Sequence, residues 1–311
     1  MPPANPPPPD HPTTERRARG RAQSGACSVC GWSAQPDPDH PFSYDTCPRC
    51  HAPLLLRFGP GRYRMRRLIG DAPNATLYIA NDPRLERRVT LKVENPNACN
   101  DDDAPLRIMQ EARALAALDH PNIGRIFELR ESPDNSFFAT EPLETTLADP
   151  IASGETLSVP FVLKLLTAAT AALDSAHQRG FFHHRLLPSH FLLNDESELR
   201  LLGFGAAHTA HGLTDLYPAE AAFLAPEVRD KNPLADERSD FFSLGVIGYA
   251  LLTGRLPIVP RRHGRKLPLA SRFRSELPDD LITLLAQLLR FNAADRPQNF
   301  NDLQRQLACL H

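Results

Sequence analysis

The chain has 311 residues, 41% of them hydrophobic and 23% charged, with a formal net charge of −2. That supply of apolar residues suits one large domain or two ordinary ones and excludes a wholly disordered chain. The near-neutral balance excludes bulk attraction to nucleic acid or a membrane surface, so any such partner must meet a local patch.

Residues 1–24 open with Met1-Pro-Pro-Ala-Asn-Pro-Pro-Pro-Pro9 and continue through Arg16-Arg17-Ala18-Arg19-Gly20-Arg21, which reads as a disordered Pro/Arg-rich tail. This stretch lacks an apolar signal-peptide core, so the expectation is a cytoplasmic protein whose six cysteines are thiols or metal ligands. The longest apolar run, Phe241–Leu252, is interrupted by Ser243 and is shorter than the ~20 residues of a spanning helix, so it predicts a buried core helix and no membrane span.

Residues 25–56 predict a small zinc ribbon. Cys27-Ser-Val-Cys30 and Cys47-Pro-Arg-Cys50, with sixteen residues between them, each place two thiolates on one side of a tight turn, and together they complete a tetrahedral sulfur shell. Structural zinc suits such a closed, redox-silent shell, and a segment this short has no adequate apolar core without it; an iron site is the rival. Trp32, Phe42 and Tyr44 are expected to cover the ribbon, while Cys99 and Cys309 stay outside it.

Beyond the ribbon, Tyr63–Ala80 alternates as a hairpin does, and Arg88-Val-Thr-Leu-Lys92-Val93 follows as a third strand. Ile108, Ala112, Leu115 and Leu118 mark one face of a helix carrying Glu111, and Asp119-His-Pro-Asn-Ile123 follows as a turn. Leu163, Leu166, Thr170 and Leu173 line a second helix, with Ser158 as its cap, Pro160 in its first turn and Gly180 near its end. Then come His183-His-Arg-Leu-Leu-Pro-Ser-His190, Gly203-Phe204-Gly205, Ala225-Pro226-Glu227, Ser239-Asp240, Leu252-Thr253-Gly254 and Asp295-Arg296-Pro297.

In this order these landmarks resemble the bacterial Hanks-type serine/threonine protein kinase domain over about four fifths of the chain. The resemblance implies an α+β, bilobal protein kinase-like fold over residues 60–311, preceded by the ribbon. The β-rich N-lobe would span about 60–143 and the helical C-lobe about 144–311.

The resemblance also assigns roles. Lys92 and Glu111 match the phosphate-gripping lysine and its helix partner, and Gly70 is the one glycine left of a phosphate loop that here reads Gly70-Asp-Ala-Pro-Asn-Ala75. Missing glycines keep backbone N–H groups from closing over a phosphate, and Thr90 stands where the family has a small alanine against adenine. Poor ATP affinity is therefore expected. Arg185 stands in place of the catalytic aspartate, and a permanently protonated guanidinium is no base. Leu187 replaces the lysine that steadies the γ-phosphate, His190 and Gly203 replace the two magnesium ligands, and Glu220 takes the place of the substrate-loop threonine. An imidazole and a bare glycine offer Mg2+ no hard oxygen, so magnesium is not expected. His183, Phe204, Asp240 and the Glu227–Arg296 pair match architectural residues. A metal site built on His177, His183, His184 and His190 has no carboxylate or cysteine to support it.

The leading expectation from sequence is thus a degenerate pseudokinase, a catalytically inactive regulator or scaffold binding a protein partner such as a kinase, phosphatase or sensor in phosphosignalling. The alternative is a divergent ATP-binding kinase or nucleotide transferase of weak or atypical activity, with a relocated base such as Asp195 or Asp215. A zinc-ribbon nucleic-acid module is the weakest reading, for few aromatics accompany the basic residues. The basic run Arg261–Lys266 is either a solvated loop or a docking patch.

Overall fold

The computed structural model describes residues 62–72, 75–94, 104–131, 136–205, 220–230, 235–258 and 270–310, and four two-residue strands nearer the N-terminus. Two compact units divide the chain, Met1–Arg57 and Phe58–His311.

In the first unit β1 (Gly25–Ala26) pairs antiparallel with β2 (Ser33–Ala34), and β3 (Asp45–Thr46) pairs with β4 (Pro53–Leu54). The two ladders share one register, Ala26 opposite Ser33 and Thr46 opposite Pro53. Cys27, Cys30, Cys47 and Cys50, the aromatic residues assigned to cover them, and the tail lie outside the described residues.

The second unit is bilobal. Its first lobe is an antiparallel sheet of β5 (Arg64–Ala72), β6 (Ala75–Asp82), β7 (Arg87–Glu94), β8 (Ile126–Arg130) and β9 (Phe137–Thr140), in the order β5-β6-β7-β9-β8. The helix α1 (Ala104–Ala117) packs on β7, β8 and β9. It does so because Ile108, Ala112 and Leu115 recur at helical spacing, and all three are buried.

Residues 141–144 lead into the second lobe, which opens with a small sheet in which β10 (Thr145–Thr146) pairs with β11 (Phe191–Leu193) and β11 with β12 (Leu199–Leu201). Around it stand α2 (Ala148–Ser153), α3 (Val159–His177), α4 (Pro226–Arg229), α5 (Glu237–Thr253), α6 (Asp279–Leu288) and α7 (Phe300–Ala308). The helix α5 contains the Phe241–Leu252 run and is buried along that whole length. Asp236 caps it by accepting from Arg238 N, and Gly254, at φ +67°, turns the chain away at its end.

The helix α3 is long and apolar enough to cross a membrane, but Leu163, Leu166, Thr170 and Leu173 all face the core, and half of it is buried inside the lobe. Ser158 stands at its N-cap position without a side-chain cap bond, so Pro160 in the first turn is the local start signal that remains.

Candidate active-site cleft

Lys92 on β7 lies opposite Leu77 and Phe138, which aims it between the lobes. Its Nζ meets Glu111 Oε2 of α1 at 2.6 Å, and Glu111 Oε1 accepts from the backbone N–H of Gly203 at 2.7 Å. Glu111 thereby joins strand, helix and the Gly-Phe-Gly segment in one polar bridge. Both side chains of the pair keep slight access to solvent, 13% and 10%.

Asp240, buried at the start of α5, accepts from the backbone N–H of His183 (3.2 Å) and of His184 (2.8 Å) and bonds His177 Nε2 at 2.9 Å. Burial alone would raise its carboxyl; the His177 bond and the neighbouring histidines outweigh that and hold it below the ordinary aspartate value. His183 Nε2 reaches Leu202 O at 3.0 Å and its ring lies 4.9 Å from that of Phe204. These bonds fix the loop from below, although its charged residues have changed.

Arg185 donates to Glu220 Oε2 at 2.7 Å, so the carboxylate of the loop has moved across to the substrate segment. Leu187 is buried, and His190 Nδ1 accepts from its backbone N–H at 3.3 Å. Gly203 has φ +89°, and a Cβ added there would sit 2.6 Å from the His190 ring. The imidazole therefore fills the space that a side chain at 203 would need. Burial foremost, then His183, Lys92 and Arg185, pushes His190 well below the usual histidine value, so it is a neutral ring. Magnesium does not fit this pair of residues, since neither side chain supplies an oxygen.

On the other side of the cleft Thr90 Oγ1 accepts from Leu143 N at 2.8 Å and donates to Leu143 O at 3.4 Å. A Cβ at Gly70 would stand 3.3 Å from both Leu77 Cδ1 and Thr146 Cγ2, so β5 lies down on the second lobe. Outside this contact Arg67 and Arg88 both reach Glu144, and Arg88 also meets Asp195 at 3.3 Å. Asp195 is thus an exposed partner of Arg88. Asp215, Arg261–Lys266 and Cys99 lie outside the described residues. Among the described residues no three His, Cys, Asp or Glu side chains gather as a metal site.

The architectural pair is complete. Arg296, with no exposed side-chain surface, bonds both carboxylate oxygens of Glu227 at 2.6 and 2.9 Å and the carbonyls of Arg290, Arg238 and Phe291. Burial would raise the Glu227 carboxyl, yet the guanidinium holds it below the ordinary glutamate value.

Residues 63–307 match the family model described as protein kinase domain. The chain belongs to the protein kinase family. Its kinase domain is 27% identical over 257 residues to serine/threonine-protein kinase PrkC of Bacillus subtilis, a match covering 78% of this chain and 40% of that protein. It is 30% identical over 258 residues to serine/threonine-protein kinase PknL of Mycobacterium tuberculosis, with 78% and 64% covered. The chain therefore spans less than two thirds of the length of these relatives. A crystal structure of the Mycobacterium tuberculosis PknI kinase domain superposes with a TM-score of 0.60 at 26% identity, covering 80% of this chain and 96% of that one.

This kinship corrects the expectation of a catalytically inactive regulator or scaffold. The relatives are named as serine/threonine-protein kinases, and no feature of the kinase cleft demonstrates inactivity. The residues at 185, 187, 190 and 203 depart from the family's pattern, and such a departure does not by itself remove phosphate transfer. They also leave the Lys92–Glu111–Gly203 bridge assembled. The Arg185–Glu220 pair, the His190 ring against Gly203 and the Thr90–Leu143 bonds are features that the sequence reading misses. Arg185 with Glu220 and His190 with Gly203 are pairs of positions already singled out, whereas Leu143, the partner of Thr90, is not.

Proposed function

We propose that the kinase domain is a divergent ATP-binding serine/threonine protein kinase of weak or atypical activity. The observation that carries this reading is the Lys92–Glu111–Gly203 bridge, the arrangement that positions a lysine toward the phosphates of a nucleotide. Two cations, Lys92 and Arg185, stand in the cleft to meet phosphate charge, and both lie close enough to His190 to depress its protonation. Glu220, held by Arg185 of the loop and partly open to solvent, is the carboxylate we assign to accept the proton of an incoming protein hydroxyl. The names of the relatives support a serine or threonine hydroxyl as acceptor.

The test is transfer of radiolabelled phosphate from ATP, with and without Mg2+, to the chain itself and to a generic protein substrate. Lys92→Ala abolishes the label and Glu220→Gln lowers it by ~10^2 or more, the scale of a positioned base. Labelling that survives Lys92→Ala sinks the reading.

For the first unit we propose one structural zinc held by Cys27, Cys30, Cys47 and Cys50. The donor set is right for it, and the shared register of the two hairpins supports it: each Cys-x2-Cys begins directly after the first strand of its own ladder. Elemental analysis of the native chain against a Cys27→Ser, Cys47→Ser double variant decides the assignment.

A further inference from the structure

We infer that Thr90 and Leu143 form an internal tie that holds the adenine side of the cleft shut, so that nucleotide enters only when this tie opens. The inference rests on the nucleotide-binding reading above and adds to it the element that controls access.

A buried backbone N–H must find a partner, and so must a buried hydroxyl. Thr90 is 1% exposed and Leu143 is fully buried. Each satisfies the other twice over: the hydroxyl accepts from Leu143 N and donates to Leu143 O. A purine edge carries the same neighbouring acceptor and donor, the property by which adenine is read elsewhere. The threonine hydroxyl therefore presents to the inter-lobe segment what an adenine would present.

The surroundings agree. Leu77, opposite Lys92 on the neighbouring strand, and Leu192, opposite Thr146 in the small sheet, are also buried. Gly70 rests against Thr146 of the second lobe. Arg67 and Arg88 then clamp the outer edge onto Glu144, and Arg88 reaches across to Asp195. These outer pairs are half-exposed and contribute little individually. The tie at Thr90 is the buried, specific one.

The bland alternative is a strand threonine that has merely satisfied its own hydroxyl. It predicts that removing the hydroxyl changes stability and nothing else. The two are separated by measuring, on the full chain, binding of adenosine and of ATP by calorimetry together with hydrogen exchange of the Leu143 amide. The variants are Thr90→Ala, Thr90→Val and Thr90→Ser. Thr90→Ala removes hydroxyl and bulk, Thr90→Val removes the hydroxyl at constant volume, and Thr90→Ser keeps it.

The expected result is adenosine binding about tenfold tighter in Thr90→Ala, a smaller gain in Thr90→Val and none in Thr90→Ser, as for release of one buried hydrogen bond. Leu143 exchange should accelerate by about the same factor in the Ala and Val variants only. If the native chain binds ATP through Lys92 while Thr90→Ala binds adenosine no better, the tie is overturned and the kinase reading stands. If every variant fails to bind adenosine or ATP, the nucleotide reading falls. The gating falls with it, and Leu143 exchange that stays unchanged in Thr90→Ala and Thr90→Val overturns the tie whatever the binding results.

Discussion

Arg296 and Arg185 are both arginines sunk in the helical lobe, with side chains 0% and 8% exposed, and each faces a glutamate. Around Arg296 the protein has placed both oxygens of Glu227 and three backbone carbonyls, and the ring of Phe242 lies 5.0 Å from the guanidinium carbon. Around Arg185 it has placed Glu220, which remains 18% exposed at the edge of the cleft. Backbone atoms that cannot turn away help to fix the first arginine, whereas Glu220, one partner of the second, is a side chain that can. Fixed charge belongs to the architecture, and adjustable charge belongs to a site where something must still enter or move.

Arg296→Ala breaks the comparison from the architectural side and should have the largest effect. It strands Glu227 beside buried carbonyls, and removal of one partner of such a pair costs about 3–5 kcal/mol. Chemical denaturation of the kinase domain, with the native chain alongside, should show the midpoint falling while the slope stays constant. A loss below 1 kcal/mol would mean that the pair is solvated in solution and that the contrast with Arg185 is false.

That pair is legible in the chain itself, because Ala225-Pro226-Glu227 and Asp295-Arg296-Pro297 are short local phrases with recognisable partners. The same holds for the strand with Lys92, the helix with Glu111 and the buried α5, each written in side-chain periodicity. The Thr90 tie is not legible because Leu143 contributes only its backbone, which any residue has. The fit of His190 against Gly203 depends on a positive φ and on a ring thirteen residues away in sequence, and neither is encoded in a pattern of types. Ser158 misleads in the opposite direction: it has the chemistry of a cap and does not use it.

A sharper probe concerns that ring. Gly203→Asp restores the family's residue but drives a Cβ to 2.6 Å from the His190 ring. Overpacking of this kind costs about 1–3 kcal/mol. His190→Asn removes the obstruction, so the double variant should recover the part of that loss that the ring causes, while the strain of a side chain at φ +89° stays, a positive coupling read from a double-mutant cycle. It should also gain Mg2+-dependence in nucleotide binding, since two oxygen donors then face each other. Strict additivity of the two changes would show that ring and glycine are not matched.

The cleft also carries a pH signature. Burial lowers both His183 and His190 below the histidine value of about 6.5 that they have in the unfolded chain. A group with a depressed folded pKa binds its proton in the unfolded state first. Stability from these two is therefore whole above about pH 6.5 and drains as pH falls below it, by up to ~1.4 kcal/mol per pH unit for each proton taken up. Asp240 and Glu227, both held low, lose their share only under more acidic conditions. Denaturation at pH 7.5, 6.0 and 5.0 should show this decline, and His190→Asn should flatten it. An identical slope in that variant would place the proton uptake elsewhere.

Arg185→Ala should have the smallest effect on stability, and it tests the adjustable side of the comparison. Glu220 loses its partner but has enough access to water to remain ionised, so the change should stay within about 1 kcal/mol, the range of a partly exposed pair. Its effect on phosphate transfer should be larger and should depend on the acceptor. If Arg185 orients Glu220 toward an incoming hydroxyl, its loss lowers the rate at saturating ATP, while Arg185→Lys, which keeps a cation, recovers part of it. Should Arg185→Ala instead cost as much stability as Arg296→Ala, the Arg185–Glu220 pair is architecture as well, and the proton acceptor has to be sought at another carboxylate.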